Sequence, residues 1–175
     1  MTNDIIGRPP PASPTEKYET QHKEGEAKNR RVNQLYKSLM QCNQAIIRSE
    51  NETELFAQIC RNVVDFDCTK MAFITLLDDD QQHLIPVTCH GSGTEYLKLL
   101  HISVEETSSH GHGPSGIAFR EDRPFWCQDF QQNPATLPWR NLASCFGWQA
   151  CAALPLHKNG EVIGILNVYA DAVHA

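Results

Sequence analysis

The chain has 175 residues, 41% of them hydrophobic and 21% charged, which is the size and composition of one packed domain with a tail and leaves no need for a disulfide or metal staple. The formal net charge of −6 with no long basic run removes the long-range attraction behind non-specific nucleic-acid binding, so nucleic acid is not an expected partner. No stretch reaches the roughly 18 apolar residues that cross a bilayer, and the start MTNDIIGRPPPASP lacks the basic and apolar segments of a signal peptide, so no membrane insertion and a cytoplasmic location are expected.

Residues 1–26 carry Pro9, Pro10, Pro11 and Pro14 and then a polar run from Thr15 to Glu26, a composition expected of a disordered tail or linker. Residues 27–172 are expected to form the folded domain, including an N-terminal helix. Within that helix Val32, Leu35, Leu39, Cys42 and Ile46 recur at alternating steps of three and four, the seam spacing of a coiled coil, and this predicts a dimer helix. So short a seam extends a dimer but scarcely drives one.

Asn51 with Glu54 three residues on has the spacing of a capping box and opens a second helix with Leu55, Phe56, Ile59, Val63 and Val64 on its apolar face. MAFITLLD is short and dense in strand formers, and the acidic turn Asp78-Asp79-Asp80 leads to HLIPVTC, so the two are expected to form a hairpin. A short helix over Thr94 to Leu100, a brief strand over His101 to Val104, a polar loop EETSSHGHGPSG and a short helix IAFRED follow. Pro124 to Cys127 reads as a strand, and a further short helix starts near Pro138 and ends at Gly147. The last strands, WQACAALPLH and EVIGILNVYA, are joined by Lys158-Asn159-Gly160, a strong hairpin signal. This order predicts an α+β domain with a mostly antiparallel sheet of five or six strands and helices packed on it.

The cysteines, Cys42, Cys60, Cys68, Cys89, Cys127, Cys145 and Cys151, sit mostly in apolar stretches with no C-x-x-C among them, and read as reduced, buried thiols of a reducing compartment.

Several segments, in order, carry a family pattern: Gly113-Pro114-Ser115-Gly116-Ile117-Ala118, Gln128-Asp129, Pro138-Trp139-Arg140, Gly147-Trp148, Ala153-Leu154-Pro155-Leu156 and Gly164-Ile165-Leu166. With these, residues from about 30 to 170 resemble the GAF domains attached to bacterial diguanylate cyclases, phosphodiesterases and sensor kinases. The resemblance implies a central antiparallel sheet with N-terminal helices on one face and a loop-covered pocket on the other. It also implies a regulatory domain of a bacterial signalling protein, of the cyclic-di-nucleotide or two-component type, that senses a small molecule, forms a homodimer and does no chemistry itself. Any catalytic output domain, whether diguanylate cyclase, phosphodiesterase or kinase, would then lie outside this chain.

The chemistries known in that family are testable against the residues present. The free methionine-R-sulfoxide reductases require a nucleophilic Cys in the glycine-bounded turn, where Ser115 stands here, and a hydroxyl forms no sulfenic acid. Bilin-binding members require a Cys-His pair nine residues before the glycine that precedes the penultimate strand. Counting back from Gly147 gives Pro138-Trp139, so no bilin attachment is expected, and the Cys89-His90 pair lies elsewhere. The Asn-Lys-x-x-Phe-x-x-x-Asp pattern of cyclic-nucleotide binders is missing.

His110 and His112 are spaced to share an ion, with His83, His90 and His101 as possible neighbours, but there is no fixed ligand spacing, and neither metal nor haem is the expected cofactor. For the ligand itself the candidate residues are Trp139, Asp129, Tyr96, Phe125, Phe146 and Ser115, with Trp126 and Arg140 nearby in sequence. The competing reading makes the aromatics core and Asp129 a turn cap. Two other functions stay open: a ligand-free dimerisation module, and thiol redox chemistry at Cys89 or Cys127.

Overall fold

A computed structural model describes residues 52–65 and 69–173. The expected tail at 1–26, the seam residues Val32, Leu35, Leu39, Cys42 and Ile46, the capping residue Asn51 and also Cys68 lie outside the described residues. The described part begins with helix α1 (Glu52–Val64), whose first turn carries Glu52 and Glu54, where acidic side chains favour a helix start.

Strands β1 (Met71–Leu77), β2 (Leu84–Gly91), β3 (Phe125–Cys127), β4 (Ala150–Lys158) and β5 (Glu161–Ala170) form one sheet in the order β2-β1-β5-β4-β3, with every neighbouring pair antiparallel. Two connections are the expected hairpins. In the β4–β5 turn Asn159 and Gly160 both take positive φ, 54° and 88°, as a tight hairpin of this hand requires. Between β2 and β3 lie a 3-10 helix (Thr94–Leu99) and helix α2 (Pro114–Glu121). Between β3 and β4 lie a second 3-10 helix (Pro134–Trp139) and helix α3 (Arg140–Phe146).

Period-two alternation assigns the sheet residues to two faces. One face carries Ala72, Ile74, Leu76, Leu156 and Leu166, which pack with Phe56, Ile59, Cys60, Val63 and Val64 of α1. The other carries Met71, Phe73, Ile165, Tyr169, Cys151, Ala153 and Cys127, which pack beneath the loops and short helices with Tyr96, Leu100, Ile102, Ala118, Phe130, Trp139 and Trp148. Lys158 at the end of β4 pairs with Glu52 and pins the start of α1 to the sheet.

The structure amends the expected elements in three places. The brief strand expected at His101 to Val104 is a single bridge between His83 and Ser103, because the chain leaves the sheet at once to form the loop above it. The helix expected from Pro138 begins at Arg140, since the two prolines at 134 and 138 hold the preceding turns in 3-10 form. The cysteines are not uniformly buried: Cys60, Cys127 and Cys151 are, whereas Cys89 on outer strand β2 and Cys145 on α3 are exposed.

Candidate functional site

The loop-covered face of the sheet holds a hollow of about 260 Å3, its open mouth included. Its lining is Leu100, Ile102, Gly113, Pro114, Ser115, Phe130, Trp139 and Tyr169, and its closed interior has room for little more than a water molecule. Tyr169 of β5 forms the floor, the start of α2 one wall, and the segment from Phe130 to Trp139 the lid.

The lid is held by its own short-range hydrogen bonds. The Asp129 carboxylate accepts the backbone N–H groups of Gln131 (3.0 Å) and Gln132 (3.2 Å), and the Asn133 side chain accepts that of Ala135 (3.0 Å). Thr136, fully buried, donates its hydroxyl to the carbonyls of Asn133 (2.7 Å) and Phe130, and the Arg140 guanidinium donates to the Asn133 carbonyl (2.9 Å). These bonds satisfy a loop that has no ladder partner and deliver the Trp139 indole over the hollow.

Trp139 then dictates the residue opposite it. A Cβ on Gly113 would stand 2.5 Å from the indole ring, closer than any real contact, so the lid closes only over glycine. On its other side Trp139 meets the ring of His110 edge-on at 5.9 Å, and His110 in turn meets His101 at 6.3 Å. Arg120 of α2 donates to the carbonyls of Gly111 (2.6 Å) and Val104 (3.1 Å), tying this histidine-bearing loop to the helix.

Beneath the lid the sheet carries a buried polar chain. Ser115 donates its hydroxyl to Asn167 Oδ1 (2.6 Å), and Asn167 Nδ2 donates to the Ile165 carbonyl (3.3 Å) and to Thr75 Oγ1 (3.5 Å). Thr75 and Asn167 are almost wholly inaccessible, and the three side chains cross from α2 through β5 to β1. Beside it an aromatic group surrounds Tyr169, whose ring contacts those of Phe73, Tyr96, Phe130 and Trp148 at centroid separations of 5.5 to 6.0 Å. Burial raises the pKa of both phenols, and the Tyr169 value is raised further by Tyr96, so both stay neutral. The Tyr96 hydroxyl faces the Tyr169 phenol without a regular hydrogen bond, and the Trp148 indole N–H is likewise buried without a partner among the described residues.

Of the six candidates read from sequence, Trp139 and Ser115 line the hollow. Tyr96 lies one ring deeper, against Tyr169, with Phe146 edge-on to it at 5.5 Å. Phe125 on β3 and Phe146 on α3 are partly buried against the core outside the lining, and Asp129 caps its turn. Trp126 points to the opposite face and is 61% exposed. Sequence reasoning missed Tyr169, Phe130, Leu100, Ile102 and the Asn167–Thr75 pair. The available signal was Asn167, a polar residue at an inward position of the otherwise apolar GILNVYA. Among the described residues no three His, Cys, Asp or Glu side chains converge as metal ligands: His110 turns to aromatic partners and His83 bonds Asp80.

Solved structures with this fold include the GAF domain of a phosphoenolpyruvate-protein phosphotransferase from Coxiella burnetii (17% identity, 83% of each chain covered, TM-score 0.63). They include also the GAF domain region of a putative membrane protein from Geobacter sulfurreducens PCA (22% identity, 70% of this chain and 78% of that one, TM-score 0.58). A third is free methionine-R-sulfoxide reductase from Neisseria meningitidis in complex with its substrate (16% identity, 77% of this chain and 72% of that one, TM-score 0.61). No curated protein sequence matches the chain. The family model for the GAF domain matches residues 49–175, which spans the whole sheet, α1 and the lid, and the chain therefore belongs to the GAF family.

Proposed function

We propose that this domain is a non-catalytic sensor in which a small molecule binds under the Trp139 lid and biases the lid's position. The observation that carries the reading is the hollow under the Trp139 lid, with an aromatic and aliphatic lining and the buried Ser115 hydroxyl at its wall. The closed hollow is smaller than a typical metabolite site of roughly 300 Å3 or more. Occupancy by a metabolite therefore requires the lid to swing outward, and that movement is the signal.

Ser115 supports the absence of chemistry. Its proton is donated to a side-chain amide, which is no base, so nothing here activates the hydroxyl as a nucleophile. The sulfoxide reductases of the same fold are a direct control: this chain is expected to give no turnover of free methionine-R-sulfoxide. The regulatory output, a homodimer and a cyclase, phosphodiesterase or kinase partner belong to the same proposal.

The reading is tested by native mass spectrometry and thermal unfolding of the purified chain against a panel of nucleotides, cyclic nucleotides, amino acids and organic acids. A retained or added occupant that raises Tm, and that Trp139→Ala loses, supports the sensor. A bare protein with an unmoved Tm across the panel overturns it, and a tight dimer in the same spectrum would then favour a dimerisation module.

A further inference from the structure

Two thiols that the sensor reading does not use face each other inside the sheet. Cys127 on β3 and Cys151 on β4 are direct partners in the strand register, and Cys151 is in turn opposite Tyr169 on β5. Directly opposed residues of an antiparallel pair have Cα atoms about 4.5 to 5.5 Å apart. A disulfide spans Cα separations of roughly 4.4 to 6.8 Å, a range that contains this spacing. Both side chains project to the loop-covered face, both are free thiols, and each is at most 7% exposed. We propose that Cys127 and Cys151 form a reversible dithiol–disulfide couple oxidised by a small hydroperoxide, with Cys127 attacking and Cys151 resolving.

Position assigns the two roles, since Cys127 is on the three-residue edge strand and Cys151 on an inner strand of the sheet. The neighbouring Cys151 thiol first, and then nearby backbone N–H groups, lower the Cys127 pKa against the opposing effects of burial and the Asp129 charge. Cys151 is raised, first because its proton is held on Cys127 and then by burial. Cys60, by contrast, is pushed up to about 12 by burial and is inert. Strand β3 is three residues long and at the sheet edge, so it is the part of the sheet that opens most readily to a reagent of near-water size. Bulky oxidants are excluded by the same burial.

In the reaction the Cys127 thiolate attacks one peroxide oxygen; the S–O bond forms, the O–O bond breaks, and hydroxide leaves to become water with the proton that Cys127 lost. Cys127 is now a sulfenic acid, oxidised by two electrons. The Cys151 sulfur attacks the Cys127 sulfur, the S–S bond forms, the S–O bond breaks, and the Cys151 proton leaves with the hydroxyl as a second water. Two thiols and one hydroperoxide (hydrogen peroxide in the test) give one disulfide and two waters, and an external dithiol reverses it.

The test is exposure of the full chain to stoichiometric hydrogen peroxide, alkylation of remaining thiols, and peptide mapping without reduction. A peptide pair cross-linked through Cys127 and Cys151, abolished by dithiothreitol, is the expected result. When the oxidised protein is unfolded in the presence of the probe, a dimedone adduct should appear on Cys127 in Cys151→Ser, whereas in Cys127→Ser Cys151 should remain alkylatable. Recovery of both as free thiols while exposed Cys89 and Cys145 are oxidised would overturn the proposal, as would oxidation of Cys151 at an unchanged rate in Cys127→Ser. The wild-type map decides the question even if a variant does not fold.

Discussion

The two faces of the sheet are built to opposite ends. Against α1 the sheet presents Ala72, Ile74, Leu76, Leu156 and Leu166, apolar side chains that close on an amphipathic helix. Against the loops the same strands present Thr75, Asn167, Tyr169 and two thiols among the apolar residues, and they leave a hollow. An apolar face maximises burial and has one good packing. The loop face instead joins directional polar groups to an aromatic lid around a hollow, and the proposed sensor uses that hollow.

The largest expected effect is on the closed face. Ile74→Ala removes a fully buried side chain between α1 and β1 and should cost about 2–5 kcal/mol by urea unfolding. If the faces are divided as described, it should leave ligand affinity unchanged apart from stability. An equal loss of affinity and stability would break the comparison.

On the loop face, Asn167→Ala leaves the Ser115 hydroxyl without its partner, while Thr75 keeps its bond to the Ile165 carbonyl, and should cost about 1–3 kcal/mol. Ser115→Ala should cost less, and the double variant less than the sum of the two, because both changes remove the same bond. Strict additivity would mean that the buried chain does not act as a unit.

Gly113→Ala sharpens the lid's role. Its Cβ collides with the Trp139 ring, so the indole must move outward, with an expected stability loss of about 1–3 kcal/mol. Tryptophan emission should shift to the red as Trp139 gains water. An unchanged spectrum would show that the lid adapts in place.

The smallest effect lies at the exposed β1–β2 turn. Asp80 bonds the His83 ring at 2.5 Å; this hydrogen bond raises the imidazole pKa, and the Gln82 backbone N–H and His83 lower that of the carboxyl. A raised histidine stabilises the fold below its unfolded pKa and loses the effect as pH rises through the folded value. A lowered carboxyl stabilises above its unfolded pKa and loses the effect as pH falls through the folded one, so the pair acts between the two. An NMR titration should place His83 above free imidazole and return it towards that value in Asp80→Asn.

Most of the fold was legible because its signals are local. A short run dense in strand formers marks β1, Asn159-Gly160 marks the β4–β5 hairpin, and the spacing of Phe56, Ile59 and Val63 marks α1. The site was half legible. Trp139 and Ser115 sit in the segments that carry the family pattern, whereas Tyr169, Phe130 and Leu100 converge only through strand pairing and lid closure. Asn167 was visible as an anomaly in its strand, but its partners are 52 and 92 residues away in sequence, a separation that no local pattern encodes. Asp129 illustrates the converse: a carboxylate in a suspected lid reads as a ligand contact, and two neighbouring backbone N–H groups claim it.

The most direct test of a sensing face opposed to a packing face is amide and indole chemical-shift mapping of the isotope-labelled protein against the same metabolite panel. The account predicts that an active compound shifts Gly113, Ser115, Phe130, Asn167, Tyr169 and the Trp139 indole while the residues of α1 facing Ile74 stay in place. Shifts confined to α1 and the β1–β2 turn, or none with any compound, would contradict it.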